Sequence, residues 1–265
     1  MTVDIPLLVA LEAEDRKLGE PIGRYPQAIN KILVLLLRGY GALFAMTFVF
    51  TVFGGAKAGD PAALLAGAVL LGLTVGMVLL GERIRRNRAF YLYPEGVVAT
   101  WGTGHIAGAA RWEDIRLYWG TMRTGWNGFG PLRDEYRLVA DGRTVLRHGE
   151  PANSGPGLIM RQLSEAKRTP VLARLLRSGE AVPFGPLTAI GAEGLVYRQE
   201  TLPWAAIDHI RVVPPYQVSV RPGLTGISSQ GRRFLIRSAK VPDLLALIQL
   251  ASFMKTAPGF FSEET

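Results

Sequence analysis

Two long apolar runs dominate the first third of the chain. No charged residue occurs from Gly39 to Ala56, and none from Ala62 to Gly81. As α-helices rising ~1.5 Å per residue, these runs would extend ~27 and ~30 Å, close to the ~30 Å hydrocarbon core of a bilayer. Lys57-Ala-Gly-Asp60-Pro61 separates them. Asp60 before Pro61 is a helix-start signal: the carboxylate can cap free amides, and proline brings a preset φ and no amide to satisfy. The pattern predicts a transmembrane hairpin over 32–82, with spans at about 39–56 and 62–81 and Ile32–Leu37 as an interfacial lead-in. Gly72-x-x-x-Gly76, together with Ala63 and Gly67, offers small residues for close helix approach.

Charge at the ends of the runs sets an expected orientation. Lys31 and Arg38 precede the first run, Arg83, Arg85, Arg86 and Arg88 follow the second, and the one lysine between them is balanced by one aspartate. The positive-inside rule then predicts a multi-pass protein of the cell membrane with both termini cytoplasmic. The four arginines become candidates for contact with anionic lipid, at ~1 kcal/mol per basic group. Ahead of the hairpin, residues 1–31 hold a short helical pattern from Leu7 to Leu18 and an extended stretch from Leu18 to Tyr25. Ile5–Leu11 does not read as a cleavable signal, being interrupted by Pro6 and preceded by Asp4.

After Arg88 the periodicity changes to that of strands. Ala89–Tyr93, Gly96–Trp101, Ile115–Met122, Tyr136–Ala140 and Thr144–Arg147 are short apolar or alternating runs, with turn signals at Pro94-Glu-Gly96 and Asp141-Gly142. Apolar residues at helical spacing follow from Gly157 to Arg177, where Pro170 is expected to kink or split the helix. A second series begins with Phe184–Ile190, Gly194–Arg198, Ile207–Val213, Tyr216–Arg221 and Arg233–Arg237, and Val241-Pro-Asp243 opens a last apolar helix.

The two series echo one another. Glu95-Gly96-Val97-Val98 is followed by Trp112-Glu-Asp-Ile115, and Glu193-Gly194-Leu195-Val196 by Trp204-Ala-Ala-Ile207. A repeat of roughly 95 residues points to two copies of one module. The Gly-led strand, the Trp-x-x-Ile element and the terminal helix resemble bacterial pleckstrin-homology-like (PH-like) modules, which commonly follow a two-helix membrane hairpin. Leu18-Gly-Glu20 with Tyr25, and Phe184-Gly185-Pro186-Leu187 leading to Leu202-Pro203-Trp204, look like an uncharacterised family of bacterial membrane proteins, over about residues 16–255. That resemblance implies a fold and a location and supplies no catalytic residues. The expected fold class is α+β: a transmembrane helical hairpin, a PH-like module over 88–179, a second over 180–256, and a tail at 257–265.

Composition narrows the chemistry. The absence of cysteine excludes a disulfide scaffold, thiolate metal sites and a cysteine nucleophile, and only His105, His148 and His209 remain for a metal, without ligand spacing. No phosphate-loop, zinc-protease or nucleophile-elbow motif occurs. Glu113-Asp114 and Asp134-Glu135 are candidate acid–base pairs, although neighbours on a strand face opposite ways. Arg123, Trp126, Phe129 and Arg133, set among glycines between two strands, are candidates for lipid or partner contact, since indole favours a membrane interface. The net charge of +8 is spread without the aromatic interleaving of a nucleic-acid platform. The expectation is a non-enzymatic, membrane-tethered interaction or scaffold module with a protein partner, without metal or cofactor. The alternatives are a sensor of anionic lipid head groups and an enzyme built around Glu113 and Asp114.

Overall fold

The computed structural model describes residues 5–27, 31–58, 61–123, 131–152, 155–185, 188–213 and 224–256. Its contacts divide the chain into two compact units, one comprising Tyr25–Phe90 with Ala99–Ile106, the other Met1–Arg24, Tyr91–Val98 and Ala107–Thr265. The architecture is α+β.

Helix α1 spans Leu7–Asp15; in the first of these units, helix α2 (Lys31–Ala58) packs on helix α3 (Pro61–Asn87). Gly67 sits at their closest approach: a methyl group there would meet Val52 at 2.6 Å and the Phe48 ring at 3.6 Å. Among the described residues, Gly72 and Gly76 have nothing within 4 Å of such a methyl, so of the expected small-residue surface Gly67 lies on the seam and these two glycines lie off it. The transmembrane hairpin itself is corrected. Over the described residues, no helix is long and apolar enough to cross a membrane. The spans at 39–56 and 62–81, the cell-membrane location and the multi-pass topology with cytoplasmic termini lose their basis with it.

The strands fall into two sets with the same order of elements. In the first set β1 (Gly23–Pro26), β2 (Ala89–Leu92), β3 (Gly96–Thr100) and β4 (Ile106–Arg111) make a four-stranded sheet in that order. Strands β5 (Arg116–Arg123), β6 (Leu132–Ala140) and β7 (Arg143–Pro151) make an antiparallel three-stranded sheet, and helix α4 (Pro156–Arg177) follows. In the second, β8 (Val182–Pro183), β9 (Thr188–Ile190), β10 (Gly194–Tyr197) and β11 (Glu200–Pro203) form four strands. Then β12 (Ile207–Val213), β13 (Leu224–Ser229) and β14 (Arg232–Arg237) form three, and helix α5 (Leu244–Thr256) closes the set.

One local device recurs in both sets. Gly96 and Gly194 sit where the neighbouring strand's backbone comes close. A methyl group at Gly96 would lie 2.3 Å from the carbonyl oxygen of Ala110, and one at Gly194 would lie 2.2 Å from that of Leu202. Only glycine fits such an approach. Two residues beyond each of those carbonyls stands a tryptophan. Trp112 donates its indole N–H to the Tyr93 carbonyl at 3.0 Å, and Trp204 donates to the carbonyls of Gly191 and Ala192 at 3.2 and 3.0 Å. Each ring is buried, at 0% and 4% exposure, and fastens the turn that launches its glycine-led strand. Burying an indole with its N–H satisfied combines a large apolar area with no orphaned donor.

Helix α4 runs unbroken through Pro170. Pro170 and Ala166, whose carbonyl loses its helical partner, both lie on the exposed side, so the missing bond is not lost in the interior. Of the expected strand Phe184–Ile190, Thr188–Ile190 is β9, and the Phe184 amide donates to the Thr188 carbonyl at 2.7 Å. The expected strand Tyr216–Arg221 lies outside the described residues.

Candidate functional site

The densest set of titratable side chains lies on the face of the β5–β7 sheet beside the start of α4. Thr121, Asp134 and Glu150 form one cross-strand row, and Trp119, Tyr136 and His148 the next. Alternation along β6 turns Asp134 inward, at 1% exposure, and Glu135 outward. The Thr121 hydroxyl donates to Asp134 Oδ1 at 2.6 Å and the Tyr136 hydroxyl to Oδ2 at 3.2 Å. Glu150 Oε1 accepts the amide of Gly157 at 2.8 Å, and Oε2 lies 3.1 Å from His148 Nε2.

This arrangement explains the Gly155-Pro156-Gly157 start of α4. The helix has no side-chain cap of its own. Glu150 supplies one from β7, placing a carboxylate at the positive end of the helix dipole. A methyl group at Gly157 would collide with Glu150 Oε1 at 2.1 Å and with the Tyr136 ring at 2.3 Å, so this contact requires glycine. Burial pushes the Tyr136 hydroxyl well above its usual range, reinforced by the Asp134 charge. Burial lowers His148, against the opposing pull of its hydrogen bond to Glu150.

A second cluster joins the two strand sets. Asp243, at φ +50°, accepts the Leu117 amide on Oδ1 at 2.9 Å and donates its own amide to the Leu117 carbonyl at 2.8 Å. Arg168 of α4 reaches Asp243 Oδ2 at 3.3 Å and the Glu113 carbonyl at 2.5 Å. Burial raises Asp243, while the Leu117 amide and Arg168 act against the rise. Between these clusters lies a cavity of about 20 Å³, lined by Trp119, Arg161, Ser164, Arg168 and Asp243. It has room for about one water molecule. Among the described residues, the cavity these titratable groups adjoin is thus far below substrate size.

The residues singled out from the sequence fall in scattered places. Glu113 pairs with Arg111 at 2.9 Å with its side chain 44% exposed, and Asp114 is exposed, so the two carboxylates do not converge. Arg133 lies on β6 and donates to the Gly149 carbonyl at 3.2 Å. Arg123 ends β5 opposite Leu132, while Trp126 and Phe129 lie outside the described residues. Arg83, Arg85 and Arg86 belong to the last turns of α3, where side chains are not described. Arg88 donates to Gln27 Oε1 at 3.1 Å, a hydrogen bond within its own unit. Among the described residues, no group of three His, Asp or Glu side chains could hold a metal ion.

What the chain does present is apolar surface. On α2, Phe50 and Phe53 are 73% and 72% exposed, and on α3 Leu65 is 70% exposed. Leu43, Met46, Val69, Val78 and Leu79 are also exposed. Residues 9–258 match the DUF6585 family of unknown function. The chain belongs to that family. The match takes in the hairpin and both strand sets of this DUF6585 protein. No curated protein and no solved structure matches it.

The buried Asp134, Tyr136, His148 and Glu150 network did not emerge from the sequence as a unit. Its signal was present in the alternation of Asp134-x-Tyr136-x-Leu138 and His148-x-Glu150, which puts all four polar groups on one face of paired strands. Asp243, expected only to open the last helix, proves to be a tie between the strand sets.

Proposed function

We propose that this DUF6585 protein is a non-enzymatic interaction module that presents the outer faces of α2 and α3 to an apolar surface of a protein partner. The observation that carries this reading is the series of exposed large side chains headed by Phe50, Phe53 and Leu65. Large apolar side chains exposed in such number on two packed helices mark interaction sites, because water disfavours exposed apolar surface by roughly 25 cal/mol per Å². Two further features support it. The richest titratable cluster is sealed and engaged in capping α4, and each strand set has the four-plus-three-plus-helix order of a PH-like module, an architecture suited to displaying loops and edges. Fold alone does not fix function, so the weight rests on the surface.

The cysteine-free chain makes the test direct. A photo-crosslinker is attached to Phe53→Cys and, as control, to the exposed Glu193→Cys in the full-length protein, and irradiated in the native extract. Protein adducts of one defined mass are expected from position 53 and not from 193. Adducts from both positions alike, or only non-protein amphiphiles at position 53, would overturn the reading.

A further inference from the structure

We infer that a basic cleft in the second strand set binds a phosphate-bearing ligand. The cleft has a volume of about 360 Å³ and is lined by Phe184, Thr188, Arg198, Leu235, Arg237 and Lys240, among others. A second hollow of about 380 Å³ adjoins it, sharing Thr188 and Arg198. Both volumes lie in the range of small-ligand sites, unlike the water-sized cavity beside α4.

The lining is one-sided in charge. Arg198, Arg237 and Lys240 contribute three cations, and no carboxylate lines either hollow. Among the described residues, none of the three is in a salt bridge. Glu200, two positions beyond Arg198, is engaged by Arg232 at 3.4 Å. Arg198 lies 5.3 Å over the Tyr197 ring, a contact that steadies the guanidinium while leaving its N–H donors available. At the base, the Thr188 hydroxyl is buried without a hydrogen-bond partner among the described residues. A buried hydroxyl is costly to leave unmatched, and an anionic oxygen would accept from it.

The backbone at the rim adds an independent sign. Three two-residue hairpin loops in the described chain have both residues at positive φ. They are Asp141-Gly142 at +49° and +73°, Gln230-Gly231 at +49° and +76°, and Arg198-Gln199 at +50° and +71°. Such turns favour Asn-Gly or Asp-Gly, and two of the three place glycine second. Only the loop at the cleft spends two long side chains on left-handed positions. Local rules of this kind are broken where the side chain is needed for something other than folding. Tetrahedral oxyanions suit three flexible cations and a hydroxyl, since charge-assisted hydrogen bonds to phosphate are strong and tolerate several geometries.

Phosphate of this kind could come from a free phosphate compound or from a phosphomonoester lipid head group. The experiment uses the full-length protein and two probes: pyrophosphate, followed by titration calorimetry, and flotation with phosphatidylcholine vesicles with and without phosphatidic acid. Saturable pyrophosphate binding that weakens with added salt is expected. Affinity should fall about tenfold in Arg198→Gln and further in Arg198→Gln/Arg237→Gln, with Thr188→Val intermediate. If pyrophosphate does not bind but phosphatidic acid increases flotation through the same cations, the head group is the source and the assignment stands. If neither probe distinguishes the wild type from a folded double variant with unchanged melting temperature, the assignment is wrong. Hairpin variants such as Phe53→Asp leave this binding intact, so its failure and the failure of the docking reading are separable.

Discussion

The helices that close the two strand sets begin in opposite ways. Helix α4 starts at Gly155-Pro156-Gly157 and borrows its cap from Glu150 on the adjacent sheet, with His148 behind it. Helix α5 starts at Asp243, whose carboxylate turns away from its own helix to hold Leu117 and Arg168 of the first set. One start is a private polar network and the other a tie. The same order of strands thus tolerates different electrostatics, because the shared requirements lie elsewhere: in Gly96 and Gly194, and in the tryptophans two residues past the carbonyls those glycines approach.

The largest effect should come from breaking what the sets share. Trp112→Ala and Trp204→Ala each remove a buried ring and its hydrogen bond, at an expected cost of about 3–5 kcal/mol. Chemical denaturation of the full-length protein measures it. Because the Asp243 clasp joins the sets, both substitutions should shift a common transition. A variant that loses less than about 1 kcal/mol would show that its tryptophan does not secure its turn.

Next comes the borrowed cap. Glu150→Leu strands the Gly157 amide in the interior and removes the carboxylate beside the His148 ring, and should cost on the order of 3 kcal/mol. Glu150→Gln keeps an acceptor for Gly157 and should cost about 1 kcal/mol. Equal losses for both, by the same denaturation measurement, would mean that packing and not capping holds the residue there.

Proton linkage sharpens the contrast. Burial keeps His148 below its ordinary value near 6.5, so the folded state favours the neutral ring. The stability this confers is intact above pH ~6.5 and is lost as the pH falls from there toward the folded value. Melting temperature should therefore decline on acidification below pH ~6.5, and His148→Gln should flatten that decline. Asp243 has the opposite sign. Its folded value is raised above the ordinary 3.8, so its contribution is present below that value and lost as pH rises through the folded one. Asp243→Asn should cost only about 1 kcal/mol at neutral pH, since losing the Arg168 pair is offset by relief from burying a charge. A larger loss would show that the tie depends on the ionised carboxylate.

Legibility in the sequence tracked how strongly local chemistry dictates structure. The Glu-Gly turns and Trp-x-x-Ile elements could be read because glycine and tryptophan each answer a steric demand that few residues meet. Strands β4, β11 and β13 were missed: Ile-Ala-Gly-Ala-Ala-Arg, Glu-Thr-Leu-Pro and Leu-Thr-Gly-Ile-Ser-Ser carry little β propensity and are held by their neighbours. The apolar runs were read from hydropathy as membrane spans, yet over the described residues no helix is long and apolar enough to cross a bilayer. Hydropathy registers that α2 and α3 shun water and does not specify what covers them. Nor could spacing reveal the Asp243 clasp, whose partners stand 126 and 75 residues away.

The smallest expected effect isolates the turn on which the sets differ again. The first set joins β3 to β4 through residues 101–105, whereas the second closes β10 to β11 with Arg198-Gln199 alone, in the left-handed geometry that Asp141-Gly142 and Gln230-Gly231 adopt elsewhere. Glycine adopts positive φ without the clash that a β-carbon meets, so Gln199→Gly should relieve strain and stabilise the protein by about 1 kcal/mol, read as a rise in melting temperature. The substitution leaves Arg198, Arg237 and Lys240 in place. A rise in stability with pyrophosphate affinity unchanged would show that Gln199 bears the strain and contributes nothing to binding. A rise accompanied by weaker binding would show that the strained loop itself presents Arg198 to the cleft. No rise would mean that the β10–β11 turn is relaxed as it stands, and the backbone argument for the cleft would fall.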